Sequence, residues 1–175
     1  RVHIVPHGPY AYDLPTDEKS VLRTRYGIPR DALVALFFGQ IRDEKGFEAF
    51  LDAMSEETSG FHLLVAGQTG AGHKGADFYR EKVCDLGLEN RVSFLFGHVP
   101  DHSVGDLFEL ADWVALPYSR SFTSQSGILN IATYYRKPVL VTNAAVLKET
   151  VEGSDIGVIS PGDNPEALNT GIAEI

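Results

Sequence analysis

Continuous apolar runs recur along this chain at regular intervals, each followed by a loop of small residues and then by a segment with helical spacing. The runs are Leu33–Phe38, His62–Ala66, Val92–Phe96, Trp113–Leu116 and Pro138–Thr142, with a shorter one at Gly157–Ile159. An unbroken apolar run is what a strand of a parallel sheet requires, because both of its faces are covered. Between the runs, Phe47, Phe50, Leu51 and Met54 recur at helical spacing, as do Val104, Leu107, Phe108 and Ala111, and later Ile128, Leu129, Ile131, Ala132 and Tyr135. Further helices are expected at Ala76 to Leu86, around Val146 to Val151 and from Pro165. Strands alternating with helices imply right-handed βαβ crossovers. The predicted fold is therefore α/β, a doubly wound, mostly parallel sheet with helices on both faces.

Before this pattern begins, Val2 to Val5 reads as a strand running into the turn Pro6-His7-Gly8-Pro9, and Asp17 to Tyr26 as a short, polar, peripheral helix. The 175 residues, 43% of them hydrophobic, suffice for one core and one domain, residues 1–175. Arg1 to Val5 starts within an apolar run and Gly171 to Ile175 stops within a helical one, so the chain is expected to be a piece of a longer protein.

A formal charge of −9 argues against a nucleic-acid groove or an anionic membrane surface as the main partner, since both need clustered Lys and Arg, and still allows a local basic spot. Cys84 is the single cysteine, which rules out an internal disulfide and fits a reducing compartment; its helical pattern reads as a small buried residue. No apolar run approaches the roughly 20 residues that span a bilayer.

Ligands of doubly wound sheets bind outside the carboxyl ends of the strands. That rule gathers four loops on one rim: Gly39 to Gly46, Gly67 to Gly75, Gly97 to Asp101 and Pro117 to Gly127. In the first, Arg42 and Lys45 form the rim's only cluster of cations. They are either solvated charges beside Asp43 and Glu44, or a forked and a compact cation suited to dividing the oxygens of a diphosphate. The last loop enters a helix at Ser126-Gly127, where unpaired amides and the helix dipole suit a phosphate. The plainer alternative is an ordinary N-cap by Ser124 or Ser126.

Other motifs carry less. Gly70-Ala-Gly-His-Lys-Gly75 matches the dinucleotide fingerprint in letters, but three residues separate it from the strand ending at Ala66, and Glu89 is misplaced for a ribose. His62, His73, His98 and His102 lack ligand spacing, so no metal is expected. Ser124-Gln-Ser-Gly127 lacks the first glycine of a nucleophile elbow.

In order along the chain stand Gly39-x5-Lys45-Gly46, a strand ending in Gly67, Val92-x-Phe-x-Phe-Gly97-His-Val99, Ala111-Asp-x-Val-x-x-Pro117, Ser126-Gly127, Lys137-Pro-Val139, Lys148-Glu149-x-Val151 and Gly157-x3-Pro-Gly162. This series resembles the C-terminal domain of group 1 retaining glycosyltransferases of the GT-B fold, and Ile4-Val-Pro-His-Gly8 resembles the end of their interdomain linker, residues 1–9. The resemblance implies binding of a UDP-, GDP- or ADP-linked sugar as substrate, with no cofactor and no metal, opposite an N-terminal acceptor domain of the same chain. It implies donor contacts at Gly39 and Lys45, with Arg42 standing in for an arginine that the family often carries where this chain has Gln40. The backbone of Gly97, His98 and Val99 would edge the base, and the amides of Ser126, Gly127 and Ile128 would receive the distal phosphate. A cytoplasmic location follows, with room for peripheral membrane contact through the domain outside this sequence. The family's Glu-x7-Glu pair falls on Thr123 and Ile131, which puts the sugar and ribose contacts in doubt and leaves no assigned catalytic residue. A non-catalytic nucleotide or sugar-nucleotide binding module is the alternative reading, and a dinucleotide-binding oxidoreductase domain the third.

Overall fold

Every apolar run between Leu33 and Ile159 forms a strand in the computed structural model, which describes residue 10 and residues 12–56 and 60–175. The strands are β1 (Val34–Phe38), β2 (His62–Gly67), β3 (Val92–Phe96), β4 (Trp113–Leu116), β5 (Val139–Val141) and β6 (Gly157–Ile159). The helices are α1 (Lys19–Tyr26), α2 (Phe47–Glu56), α3 (Ala76–Asp85), α4 (Asp101–Leu110), α5 (Gly127–Tyr134), α6 (Ala145–Val151) and α7 (Pro165–Glu174). The six strands pair in parallel in the order β3-β2-β1-β4-β5-β6.

Successive side chains of a strand point to opposite faces, and here each face has its own core. Val34 and Leu36 of β1 and Val114 and Leu116 of β4 join one apolar cluster, with Val104, Leu107 and Phe108 of α4 and Leu129 and Ala132 of α5. Ala35, Phe37, Trp113 and Ala115 join the other, with Phe47, Phe50 and Met54 of α2 and Leu168 of α7. Both faces are thus covered, as the unbroken runs require, and the doubly wound expectation holds.

Two expectations are corrected. The helix expected at Asp17 to Tyr26 starts at Lys19 and is not peripheral: Leu22 is fully buried, Lys19 pairs with Asp112 at 2.6 Å, and Asp112 also accepts from the Val34 amide at 2.8 Å. Polar composition hid the apolar contacts on which α1 docks, Leu22 with Tyr26 beside it. Cys84 is exposed, because Tyr79 and Val83, four apart, take the buried face of α3 and leave the next position at its margin. The strand expected at Val2 to Val5 and the linker residues 1–9 lie outside the described residues.

The segment before α1 crosses α4 at Gly105, where a Cβ would lie 2.4 Å from the Asp13 carbonyl oxygen. The adjacent Asp106, 3% exposed, accepts from the Thr16 amide at 2.7 Å and pairs with Arg25 at 3.2 Å.

Candidate functional site

Strand order reverses between β1 and β4, since β1 continues in sequence to β2 on one side while β4 leads to β5 on the other. The loops after their carboxyl ends, residues 39–46 and 117–126, meet at this switch point, where ligands of doubly wound sheets bind. Backbone approaches that only glycine allows draw the loops together. Gly46 has φ 67°, and a Cβ there would lie 1.8 Å from the Pro117 carbonyl oxygen. Gly67, at φ 145°, leaves 1.9 Å between such a Cβ and the Gly39 carbonyl oxygen. The Ser119 amide donates to the Glu44 carbonyl at 3.0 Å, and the Ile41 amide to the Gln68 carbonyl at 2.8 Å. Gly39 faces the start of α5, 3.1 Å from the Ile128 Cδ1 by its absent Cβ.

Lys45 closes a 3-10 turn, Asp43–Lys45, that stops at Gly46 in the left-handed region. Its amine sits over two rings, 3.7 Å from the centroid of Tyr118 and 4.8 Å from that of Phe122. Among the described residues no carboxylate forms an ion pair with it. Burial, and next the Arg42 charge, lower its pKa from 10.5 to about 8, against a smaller opposing pull from Glu44. Arg42 is committed differently: its Nε lies 3.1 Å from Glu44 Oε1, close enough for an ion pair but without hydrogen-bond alignment, and its stem passes over Gly70. The two cations expected to share a diphosphate therefore lie near each other, with Lys45 the uncompensated one.

Ser126 caps α5, accepting from the Leu129 amide at 3.4 Å, and lies 3.2 Å from the Tyr118 hydroxyl. The N-cap alternative is thus correct for Ser126, while Ser124 is exposed. A cap satisfies one donor, however, and the Gly127 and Ile128 amides have no acceptor among the described residues. The Tyr10 ring stands beside this end, 3.1 Å from where a Gly127 Cβ would be. Thr123 is exposed, and Ile131, 3% exposed, belongs to the core stripe of α5 and offers a ligand nothing.

On the other side of β1, Gly39, Gly67, Gly97, His98 and Val99 line a shallow cleft of about 180 Å³. It adjoins an apolar hollow of about 220 Å³ lined by Tyr26, Leu95, Phe96, Val99, Pro100 and Leu107. Gly97 and His98 are exposed at the rim. A larger hollow, about 440 Å³ beside Arg23 and Arg30, lies before the amino end of β1, and Arg23 there is spent on the Pro29 and Ala32 carbonyls. It lies at the opposite end of the sheet from the loops that follow β1 and β4.

The glycines of Gly70 to Gly75 do not make a strand-to-helix turn, because residues 68–75 intervene between β2 and α3. Among the described residues no group of three His, Cys, Asp or Glu side chains is placed to hold a metal ion. No described helix is long and apolar enough to cross a membrane. Sequence reasoning missed Tyr118 and Phe122 as the bed of Lys45; two aromatic residues four apart in a loop otherwise of small and polar residues were the available signal.

With this geometry in place, known proteins give it a context. Residues 18–175 match the family model for glycosyl transferases group 1. The D-inositol 3-phosphate glycosyltransferase of Rhodococcus jostii is 28% identical over all of this chain, which spans 39% of that protein. An uncharacterised glycosyltransferase of Methanocaldococcus jannaschii is 26% identical, again over all of this chain, with 45% of that protein covered. The chain therefore spans less than half the length of these relatives. Among solved structures, Anabaena HepE in complex with UDP and glucose superposes with a TM-score of 0.73 at 25% identity over 89% of this chain and 41% of that one. A C-terminal domain of a group 1 glycosyl transferase from Francisella tularensis superposes with a TM-score of 0.71 at 17% identity, covering 92% of this chain and 83% of that one, and speaks for the fold alone. The chain accordingly belongs to the group 1 glycosyl transferases and has the Rossmann-like fold of the C-terminal half of their GT-B architecture.

Proposed function

We propose that this domain binds the nucleotide-sugar donor of a retaining, metal-independent glycosyltransferase whose acceptor is held by an N-terminal domain of the same chain. The observation that carries the reading is a half-desolvated amine at Lys45 without an ion pair, joined through the Tyr118 side chain to the capped start of α5, whose next amides lack acceptors among the described residues. A nucleoside diphosphate leaves such a reaction as a dianion or more, and donors fixed in advance where that charge develops stabilise it. Lys45 and the Gly127 and Ile128 amides take this role, with Ser126 holding the helix end and Arg42 adding positive potential. The base lies in the cleft at Gly39, Gly97, His98 and Val99. UDP is the favoured nucleotide, since Anabaena HepE, 25% identical to this chain, was solved with UDP and glucose, and GDP and ADP are the alternatives.

Sugar recognition on this side is weak, because Thr123 brings one hydroxyl and Ile131 is buried. Residues 1–175 then form one donor domain, residues 1–9 its linker, and the protein works in the cytoplasm, with any membrane contact made by the other domain. Calorimetric titration with UDP, GDP, ADP and NADH tests the reading. Binding of one nucleoside diphosphate in preference to NADH is expected; no binding of any diphosphate, or preference for NADH, would refute it. A sugar-nucleotide module without activity would bind equally but stay inert when joined to its N-terminal half in a transfer assay.

A further inference from the structure

The Lys45 amine and the amide end of α5 come from different loops, and one side chain touches both. The Tyr118 ring lies 3.7 Å from the Lys45 Nζ by its centroid, and its hydroxyl lies 3.2 Å from the Ser126 Oγ that caps the helix. We infer that Tyr118 is a positioning residue of the diphosphate site, its ring face holding the Lys45 ammonium and its hydroxyl fixing the cap that leaves the Gly127 and Ile128 amides open. The inference rests on the donor-binding reading above.

Physical reasons favour an aromatic residue at this place. A carboxylate would also hold the ammonium, but it would neutralise it and repel a diphosphate. A ring face attracts the cation through its quadrupole and adds no net charge, so the site stays attractive to an anion. The residue is itself immobilised: Tyr118 is 1% exposed, Phe122 packs on it at 4.6 Å, and the Thr142 hydroxyl donates to its carbonyl. Burial pushes the Tyr118 phenol up to about 12, so its hydroxyl keeps its proton in the working range. The groups that face Lys45 are Arg42 and Glu44 from its own loop and Tyr118 and Phe122 from the loop after β4.

Lysine side-chain NMR against pH, paired with UDP titration, tests this on the wild-type protein and on Tyr118→Leu and Tyr118→Phe. The wild-type Lys45 midpoint is expected at about 8. Tyr118→Leu is expected to lower it by about 0.5–1.5 pH units, the range from an exposed to a desolvated cation–π contact, and to weaken UDP binding at pH 8. Tyr118→Phe keeps the ring, so the midpoint should hold, while exchange of the Leu129 amide quickens and UDP affinity falls about twofold to fivefold, the scale of a weakened cap. A purely structural residue would lower the melting temperature without moving the Lys45 midpoint. A folded Tyr118→Leu with the wild-type midpoint would overturn the inference. Should that variant fail to fold, Tyr118→Phe with wild-type UDP affinity would do so. Absence of UDP, GDP and ADP binding to the wild-type protein refutes the donor reading itself, and this inference with it, whereas binding with an unmoved midpoint removes only the role of Tyr118.

Discussion

Replacing Lys45 by methionine should move stability and binding in opposite directions, and the structure sets the size of both effects. The amine is buried enough that its pKa falls from 10.5 to about 8. A lysine with a lowered pKa in the folded state makes folding release a proton between pH 8 and 10.5. Its charge therefore costs stability in full below pH 8, and the cost fades as pH rises across that window. At 1.36 kcal/mol per pH unit the ceiling is about 3 kcal/mol, and partial exposure screens it to about 1 kcal/mol. Methionine keeps the stem length without the charge, so Lys45→Met should be about 1 kcal/mol more stable than wild type at pH 7 and equal to it near pH 10.5. UDP binding should weaken by about 1.5–3 kcal/mol, the value of hydrogen bonds to a charged group. In the wild-type protein, UDP affinity should fall above pH 8 by up to about tenfold per unit, because the bound diphosphate requires the protonated amine. Urea unfolding at pH 7 and pH 10 and calorimetry with UDP give both numbers. Unchanged stability together with unchanged affinity would show Lys45 to be a solvated surface charge and refute the reasoning.

Gly46→Ala should cost about 3 kcal/mol in urea unfolding, combining a left-handed backbone at an L-residue with a Cβ driven against the Pro117 carbonyl; a loss below the error of the measurement would mean that the two loops part without penalty. Because Thr123 and Ile131 offer the sugar little, UDP and UDP-glucose should bind within about tenfold of each other, or 1.4 kcal/mol, by calorimetry. Gly127→Val should impair both ligands alike by covering the amides, and since its side chain also meets the Tyr10 ring at 3.1 Å, a Tyr10→Ala control separates that clash from loss of the phosphate site. Wild-type affinity in Gly127→Val would leave α5 with a plain N-cap.

Strand positions could be read from the sequence because a strand covered on both faces must be apolar at successive residues. Leu33–Phe38, read at first sight, differs from β1 by one residue at its start, and the run read as His62–Ala66 extends by Gly67. Helical spacing likewise placed the stripe of α5, with Leu129, Ile131 and Ala132 buried as expected. The rim loops followed from the parallel sheet alone, and the cations Arg42 and Lys45 and the helix start at Ser126-Gly127 from their residues, whereas the donor roles of Gly97 to Val99 and of the Ser126 to Ile128 amides came from the family resemblance. What one-dimensional patterns could not supply were contacts between loops distant in sequence. Nothing in the sequence places Tyr118 and Phe122 under Lys45, brings Tyr10 to Gly127, or buries one face of α1 at Leu22 while leaving Cys84 outside. Periodicity reports which face of an element is covered, because burial acts on each residue locally. The identity of the covering residue is decided by chain crossings, here the approach of Gly46 to Pro117 and of Gly67 to Gly39, which exist only once the sheet has closed its order around β1 and β4.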